Sequence, residues 1–232
     1  MERAALAIGI LVLFVAGYFG VGRSIDPSRA RELPTWLDTR IPFVARSVWV
    51  YLWVFPASLL PLFVVRCPRL FRRAMLSYGI AIAVSLIFFV AMPVTSIGLR
   101  PDRSTLDVAH FSPWAVSALY DLDPPFNLFP SLHLSIAALA GFAAWKARRA
   151  YGAAAFAGVA LVGASICTVK QHFVLDGFAG LVVAAVVHAV VLRPYRPNPG
   201  TDPAYGWRGP AAYAALLSVV YAGLYAGFRL VA

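Results

Sequence analysis

The chain has 232 residues, of which 61% are hydrophobic and 13% charged, and its mean hydropathy is +0.76. Soluble domains carry about 25% charged residues and disordered chains are poor in apolar ones, so both classes are excluded and the bilayer remains as the solvent. The net charge of +10 comes from 20 Lys and Arg against 10 Asp and Glu. Membrane proteins accumulate such charge in cytoplasmic loops, so we predict no nucleic-acid partner.

Seven apolar runs are long enough, at about 20 residues, to cross a bilayer as helices. They are 4–22, 42–65, 74–98, 129–145, 150–169, 172–192 and 210–228. Only two charged residues, Arg46 and Asp176, lie inside them. Arg46 is one turn from a helix end and can reach the headgroups, an explanation that does not serve for Asp176. We therefore predict an all-α polytopic membrane bundle, a single domain over 1–232 with a six-helix core and a seventh transmembrane helix.

The first run has an alternative interpretation as a cleaved signal peptide. Its apolar stretch exceeds the usual ~7 to 15 residues, which favours a retained helix. The prolines of the second and third runs predict kinks, which neighbouring helices make tolerable in lipid. These prolines are Pro42, Pro56, Pro61 and Pro93.

The distribution of Lys and Arg predicts the orientation. Loops 66–73, 146–149 and 193–209, together with Arg3, carry eleven of these residues, and the opposite side carries nine. The positive-inside rule therefore favours a multi-pass protein of the plasma (inner) membrane with a cytoplasmic N-terminus. The loops that face outward in this arrangement are 23–41, 99–128 and 170–171.

An ionisable pair marks the start of the sixth run. His172 and Asp176 are four residues apart, so on a helix they share one face and the carboxylate can accept a hydrogen bond from the imidazole. That bond would leave a lone pair on the other ring nitrogen, as a nucleophile or general base requires. Because ionisable groups inside a hydrophobic span are costly, we interpret the pair as functional.

The fourth run begins with a second polar group. Ser131 is placed to cap this helix, and the free amides of its first turn favour an oxyanion. His133 lies in the same turn. Since the fourth helix starts where the fifth ends, the predicted topology places His133, His172 and Asp176 on one face of the membrane.

Three of the cations predicted on that face lie close to these motifs in the sequence. Arg100 and Arg103 follow the third run and Lys170 precedes His172. Guanidinium groups match phosphate oxygens in bidentate geometry, so these residues are candidates for binding phosphate. Two histidines, a carboxylate, an oxyanion site and these cations together favour phosphoryl transfer.

In these motifs the chain resembles the type 2 phosphatidic acid phosphatase superfamily, whose three elements are K-x6-R-P, P-S-G-H and S-R-x5-H-x3-D. The order and spacing agree. The matching residues are Arg100-Pro101 in the first element, Pro130-Ser131 and His133 in the second, and Ser165, His172 and Asp176 in the third.

Three positions depart from the pattern. Pro93 replaces the lysine of the first element, Leu132 the glycine of the second and Ile166 the arginine of the third. Two phosphate-binding cations of the hydrolytic branch are thus missing, and Lys170 is a candidate to supply one of them.

Segments 127–133 and 170–180 are most similar to the inositol phosphorylceramide synthase and sphingomyelin synthase branch. The resemblance implies a six-helix fold, with the catalytic core at about 75–192, no metal or other cofactor, and a phosphohistidine intermediate at the extracytoplasmic leaflet. By this analogy His172 attacks phosphorus, Asp176 orients it, and His133 protonates the leaving alkoxide and then deprotonates the acceptor. The implied partners are a lipid phosphoester and, for transfer, a lipid alcohol; the oligomeric state stays open.

Other functions remain as alternatives. Simple hydrolysis of a lipid phosphate uses the same two half-reactions with water as acceptor. A zinc-dependent hydrolase would use His133, His172 and Asp176 as ligands. A transporter or haem protein could be built on His110 and His188, but we interpret His110 as a solvated loop residue and His188 as a buried, hydrogen-bonded one.

Overall fold

The computed structural model describes residues 2–198, 200 and 203–231, and all its regular elements are helical. The α-helices are α1 (Glu2–Ser24), α2 (Val48–Tyr51), α3 (Val54–Ala57), α4 (Leu60–Val64), α5 (Pro68–Ala91), α6 (Phe111–Leu122), α7 (Leu132–Ala147), α8 (Arg149–Thr168), α9 (Val174–Val187) and α10 (Arg208–Val231). Helix α9 continues as one π-helical turn, His188–Leu192. Two isolated β-bridges join Val94 to Arg31 and to Asn127.

The length and composition of the helices show a polytopic membrane protein. Among the described residues, five helices are long and apolar enough to cross a bilayer, namely α1, α5, α8, α9 with its π-turn, and α10. Helix α7 is equally apolar but has 16 residues. The prediction of an all-α membrane bundle is confirmed.

The second predicted span is a helical segment in three pieces, α2 to α4. The residues between the pieces, among them Leu52, Trp53, Ser58 and Leu59, keep right-handed helical dihedrals. Proline has no N–H to donate to the preceding turn, so Pro56 and Pro61 interrupt the hydrogen-bond ladder without reversing the chain direction.

The third span differs from its predicted bounds. Helix α5 begins at Pro68 and ends at Ala91, not at 74 and 98. Met92 has left the helical region, with φ −141° and ψ 73°, because the residue before a proline is disfavoured there. Pro93 therefore ends this helix where the sequence predicted a kink, and 92–98 is free to run across the end of the bundle.

Helix α7 lies at the centre of the bundle and packs against α5, α8 and α9 as well as α3 and α4. Twelve of its residues are buried, against two in α1 and two in α10. The apolar side chains that α1 and α10 leave exposed are suited to lipid contact. Both outer helices thus flank a packed core that carries the polar residues.

The basic loops meet at one end of the bundle. Arg3 donates to the carbonyl of Val65, just before the 66–73 loop, and Lys146 donates to the carbonyl of Arg193. The opposite end holds the start of α7, the end of α8 and the start of α9. The sequence-predicted site residues lie at this second end.

The two remaining histidines lie outside this site. His110 is exposed and pairs with Asp107 at 2.8 Å, in agreement with a loop residue. His188 differs from its prediction as a hydrogen-bonded residue. Its ring stacks on Phe142 with centroids 3.8 Å apart, and its Nδ1 has no hydrogen-bond partner within the described chain.

Candidate active site

His172 and Asp176 meet in the turn that joins α8 to α9. His172 lies two residues before α9, and Asp176 is the third residue of that helix. The Asp176 Oδ2 atom accepts the Phe173 amide at 3.0 Å and lies 3.4 Å from His172 Nδ1. A carboxylate in the first turn caps the helix and interacts favourably with its dipole. The sequence predicted that both residues lie on one face of a helix. In the structure His172 precedes α9, and Asp176 reaches it from the first turn of that helix.

Ser131 contacts the other nitrogen of His172. Ser131 precedes α7, accepts the Leu134 amide as N-cap, and has its Oγ 3.4 Å from His172 Nε2. Its own amide donates to the Asp176 carbonyl at 2.9 Å, which fixes the start of α7 against the start of α9. The His172 ring is therefore held between a carboxylate on Nδ1 and a hydroxyl on Nε2.

His133 lies beside this pair in an aromatic surrounding. Its ring centroid is 6.0 Å from that of His172, and the rings of Tyr18, Tyr51 and Phe55 lie between 5.4 and 6.2 Å away. Neither ring nitrogen of His133 has a hydrogen-bond partner in the described chain. A buried imidazole with two unpaired nitrogens is costly unless a bound group uses them.

Arg100 is joined to this region through Gln171, the residue before His172. It follows a short 3₁₀ turn, stacks its guanidinium 4.4 Å from the Tyr120 ring centroid, and donates to the side-chain oxygen of Gln171 at 3.1 Å. Burial lowers the pKa of the Arg100 guanidinium from its ordinary value, while the nearby Tyr120 and Asp123 act to raise it. Arginine nevertheless stays charged in proteins, so this partly buried cation favours a bound anion.

The other two predicted cations are directed elsewhere. The Lys170 ammonium donates to the main-chain carbonyls of Asp38 and Ile41, so the 38–41 turn takes up its charge in this structure. Arg103 forms an exposed ion pair with Asp121 at 2.6 Å. The geometry joins neither side chain to the histidines, in contrast to the sequence-based expectation of phosphate binding.

The family model of the PAP2 superfamily matches residues 25–190. This chain belongs to the PAP2 superfamily. Comparison with curated proteins and with solved structures found no match. Membership of the superfamily supports an enzyme, a membrane lipid phosphatase or phosphotransferase, and agrees with an integral multi-pass protein.

The PAP2 motif residues at 131, 133, 172 and 176 form one buried cluster in this chain, with exposures between 0% and 6%. Within the described ranges no group of three His, Cys, Asp or Glu residues could hold a metal ion, so the zinc alternative has no ligand set there. The arrangement suits nucleophilic catalysis by an oriented imidazole beside a second imidazole.

Four further residues around this cluster were not predicted as site residues. Tyr18, Tyr51, Asp123 and Gln171 are all buried around the histidines and come from four separate parts of the chain. Only two of them could have been suspected from the sequence. Gln171 is next to His172, and Asp123 is an acidic residue in the loop before the second motif. The tyrosines resemble ordinary apolar-span residues in the sequence.

Proposed function

We propose that this chain is a metal-independent lipid phosphotransferase that moves a phosphoryl or phospho-headgroup through a phosphohistidine on His172. The observation that carries the proposal is the His172 ring, held by Asp176 at Nδ1 and by Ser131 at Nε2, with His133 beside it. Hydrolysis of a lipid phosphate is the alternative.

In the first step the His172 Nε2 lone pair attacks phosphorus while Nδ1–H donates to Asp176. An N–P bond forms, the bond from phosphorus to the alkoxide oxygen breaks, and a proton from His133 neutralises the alkoxide. Contacts of 3.4 Å are long for hydrogen bonds, but catalytic hydrogen bonds commonly tighten when substrate binds. Protonating a poor leaving group contributes on the order of 10²- to 10⁴-fold in rate.

In the second step the neutral His133 takes a proton from the acceptor hydroxyl. The acceptor oxygen attacks phosphorus, the N–P bond breaks, and the electron pair returns to His172. The free amides at the start of α7 and the Arg100 guanidinium are the groups available to stabilise the phosphoryl oxygens. An alcohol and water would both serve as acceptor in this scheme.

A cavity next to His133 supports a lipid substrate. It has a volume of about 320 Å³ and lies between α1, α3, α4, α5 and α7, with His133 among its lining residues. Nearly all the other lining residues are apolar, including Ile10, Phe14, Met75 and Ile136. A hydrocarbon chain in this cavity would place its alkoxide oxygen beside the histidine that we assign as proton donor.

The distribution of basic loops supports an orientation for the reaction. The loops richest in Lys and Arg lie at the end opposite to the histidines, so the positive-inside rule supports our proposal of a site at the extracytoplasmic leaflet of the plasma membrane. Labelling of the protein in sealed membrane vesicles with a reagent that cannot cross the bilayer would show which end of the bundle faces outward.

The mechanism predicts that His172→Ala abolishes turnover of a lipid phosphoester and that Asp176→Asn lowers it by about 10²-fold or more, because the ring loses its oriented tautomer. Turnover is measured on detergent-purified protein, together with mass-spectrometric detection of a phosphoryl adduct on His172 after incubation with a mixed lipid extract. The matched control is His110→Ala, a loop histidine, which we expect to keep wild-type turnover.

Wild-type rates in His172→Ala would contradict the mechanism. Product analysis with donor and acceptor lipids distinguishes the acceptors. A new phosphodiester or phosphosphingolipid supports transfer, and free phosphate with lipid alcohol as the only products supports hydrolysis.

A further inference from the structure

Asp123 is a buried carboxylate outside the family motifs. It follows the last residue of α6 and is 5% exposed. Its Oδ1 accepts the Tyr18 hydroxyl at 2.6 Å, and its Oδ2 accepts the Gln171 side-chain amide at 2.6 Å and the Tyr51 hydroxyl at 3.4 Å. Burying a carboxylate is costly unless donors surround it, and here the three donors come from three distant parts of the chain.

Asp123 determines the orientation of the Gln171 amide. A carboxylate only accepts hydrogen bonds, so the NH₂ group of Gln171 must face Asp123. The amide oxygen is thereby directed to Arg100, whose Nη2 donates to it at 3.1 Å. With the side chain of Gln171 1% exposed, there is little room for another orientation.

The Arg100 guanidinium is held incompletely by these contacts. Besides Gln171 and the Tyr120 ring it has a buried Nε with no hydrogen-bond partner in the described chain. A charged donor left unpaired in a buried place is unfavourable, and an oxyanion is the group that satisfies it best. Arg100 donates to Gln171, and Gln171 is the residue before His172. The unpaired Nε of Arg100 therefore lies in the region of the proposed nucleophile.

The same carboxylate also acts on the second histidine. The Tyr18 and Tyr51 rings lie 5.4 and 6.2 Å from the His133 ring, and both hydroxyls bond to Asp123. His133 has no hydrogen bond of its own in the described chain, so the packed rings determine its orientation. Asp123 thus restrains the surroundings of His133 through two tyrosines and of Arg100 through Gln171.

We propose that Asp123 and Gln171 are positioning residues of the phosphoryl-transfer site. Gln171 holds Arg100 for the phosphate, while Asp123 holds both Gln171 and the tyrosines that orient His133. The inference rests on the proposed function, because it takes phosphate as the ligand of Arg100. It adds that two residues without a role in the motif control substrate binding, and that one of them, Asp123, also controls the surroundings of the proton donor.

The test compares Gln171→Met, which keeps the size but removes both hydrogen bonds, with Asp123→Asn, which keeps the shape but removes the charge. We expect Gln171→Met to raise KM for a lipid phosphoester and the inhibition constant of inorganic phosphate by about tenfold, with a smaller effect on kcat, because Arg100 loses the hydrogen bond that holds its guanidinium. Asp123→Asn should raise KM and also lower kcat by about tenfold, because it acts on both groups.

A double-variant cycle separates positioning from general damage. If Gln171 acts through Arg100, Gln171→Met combined with Arg100→Gln should bind phosphate no more weakly than Arg100→Gln alone. The control is Ser77→Ala, a buried serine of α5 that bonds to its own helix at Arg73, and we expect it to leave KM unchanged. Additive effects of the two variants, or an unchanged phosphate constant in Gln171→Met, would overturn the proposal.

Binding of inorganic phosphate, measured by thermal stabilisation of the purified protein, distinguishes this proposal from the proposed function. Phosphate binding that weakens in Gln171→Met without any turnover by the wild type supports the positioning role and contradicts the enzyme mechanism. Turnover by the wild type with unaltered phosphate binding in Gln171→Met contradicts the positioning role alone.

Discussion

Three cations that the sequence assigns to one face have three different surroundings. Arg100 is half-buried and its buried Nε has no hydrogen-bond partner among the described residues, Lys170 donates to two main-chain carbonyls, and Arg103 is exposed and paired with Asp121. Exposed ion pairs contribute about 0–1 kcal/mol, whereas hydrogen bonds to charged groups in buried places contribute about 1.5–3 kcal/mol. Of the three, Arg100 is therefore the one expected to bind phosphate.

We accordingly predict that Arg100→Gln raises KM for a lipid phosphoester by about 10- to 100-fold, the equivalent of one lost charge-assisted hydrogen bond. Arg103→Gln should have a clearly smaller effect, since its guanidinium is screened by water. Steady-state kinetics of both variants in the same detergent provide the measurement. An equal loss in both variants would show that Arg103 also contacts the substrate.

Lys170 has a structural role in this geometry. Its φ of 57° is in the left-handed region, which costs a residue with a Cβ roughly 1–2 kcal/mol. The strained turn directs its ammonium to the 38–41 turn, whose Asp38 carboxylate in turn accepts the Val174 amide at the start of α9. Lys170 thereby holds the 38–41 turn beside the turn that carries His172.

At the scale of elements, the site depends on how closely α9 approaches the start of α7. A Cβ built on Gly180 of α9 would overlap the carbonyl oxygen of Ser131, which is main chain and cannot rotate away. Ser135 reinforces the contact, because its hydroxyl lies 2.8 Å from the Ser131 carbonyl and 2.9 Å from that of Gly180. A glycine is required here, since only its absent side chain lets the two helices meet.

Gly180→Ala should therefore separate α7 from α9, displace Ser131 from His172, and reduce both thermal stability and turnover, the latter by tenfold or more, about 1.4 kcal/mol. The control is Gly163→Ala in α8, where the nearest atom to the new Cβ would be Leu134 Cδ2 at 3.9 Å. In that variant the higher helix propensity of alanine should leave stability unchanged or raised by up to about 1 kcal/mol. Wild-type stability and turnover in Gly180→Ala would show that the close approach is not needed.

At the scale of the whole molecule, the cavity connects the polar end of the bundle with its apolar interior. His133 lines one end, while Ala7 and Met75 lie toward the basic end. In α1, Ala7 is about 16 Å along the helix axis from Tyr18, which packs on His133. An apolar cavity between these two levels would suit one hydrocarbon chain of the lipid substrate that we propose, with its phosphoester at the histidines.

Filling the far end of the cavity should therefore shorten the substrate chain that the protein accepts. We predict that Ala7→Trp lowers kcat/KM for long-chain lipid phosphoesters by about tenfold, equivalent to about 1.4 kcal/mol, and spares water-soluble short-chain analogues. The control is Ala5→Trp, which is exposed on the same helix and does not line the cavity. Equal losses on long and short chains in Ala7→Trp would indicate that the hydrocarbon binds elsewhere.

Much of the architecture followed from local properties of the sequence. The all-α membrane bundle and the superfamily were both predicted correctly, because apolar run length and motif spacing are read directly along the chain. Local steric rules also explain what was missed. The sequence predicted kinks at Pro56, Pro61 and Pro93; Pro56 and Pro61 interrupt the second span without reversing it, whereas Pro93 ends α5, because the residue before a proline is disfavoured in the helical region.

Hydropathy was enough to predict the bilayer as solvent and the helical class, since transfer of about 20 apolar residues into lipid outweighs any detail of packing, and the motif spacing predicted the order of the chemical groups. Three features depend instead on how the helices pack: Lys170 donates to the 38–41 turn, the buried Nε of Arg100 has no partner within the described part of the chain, and Asp123 binds Tyr18 of α1, Tyr51 of α2 and Gln171. These contacts could not be predicted because the residues that form them are far apart along the chain. Side chains that are more than a few turns apart meet only through helix packing, and hydropathy, which is summed over neighbours, carries no information about which of them will share a hydrogen bond.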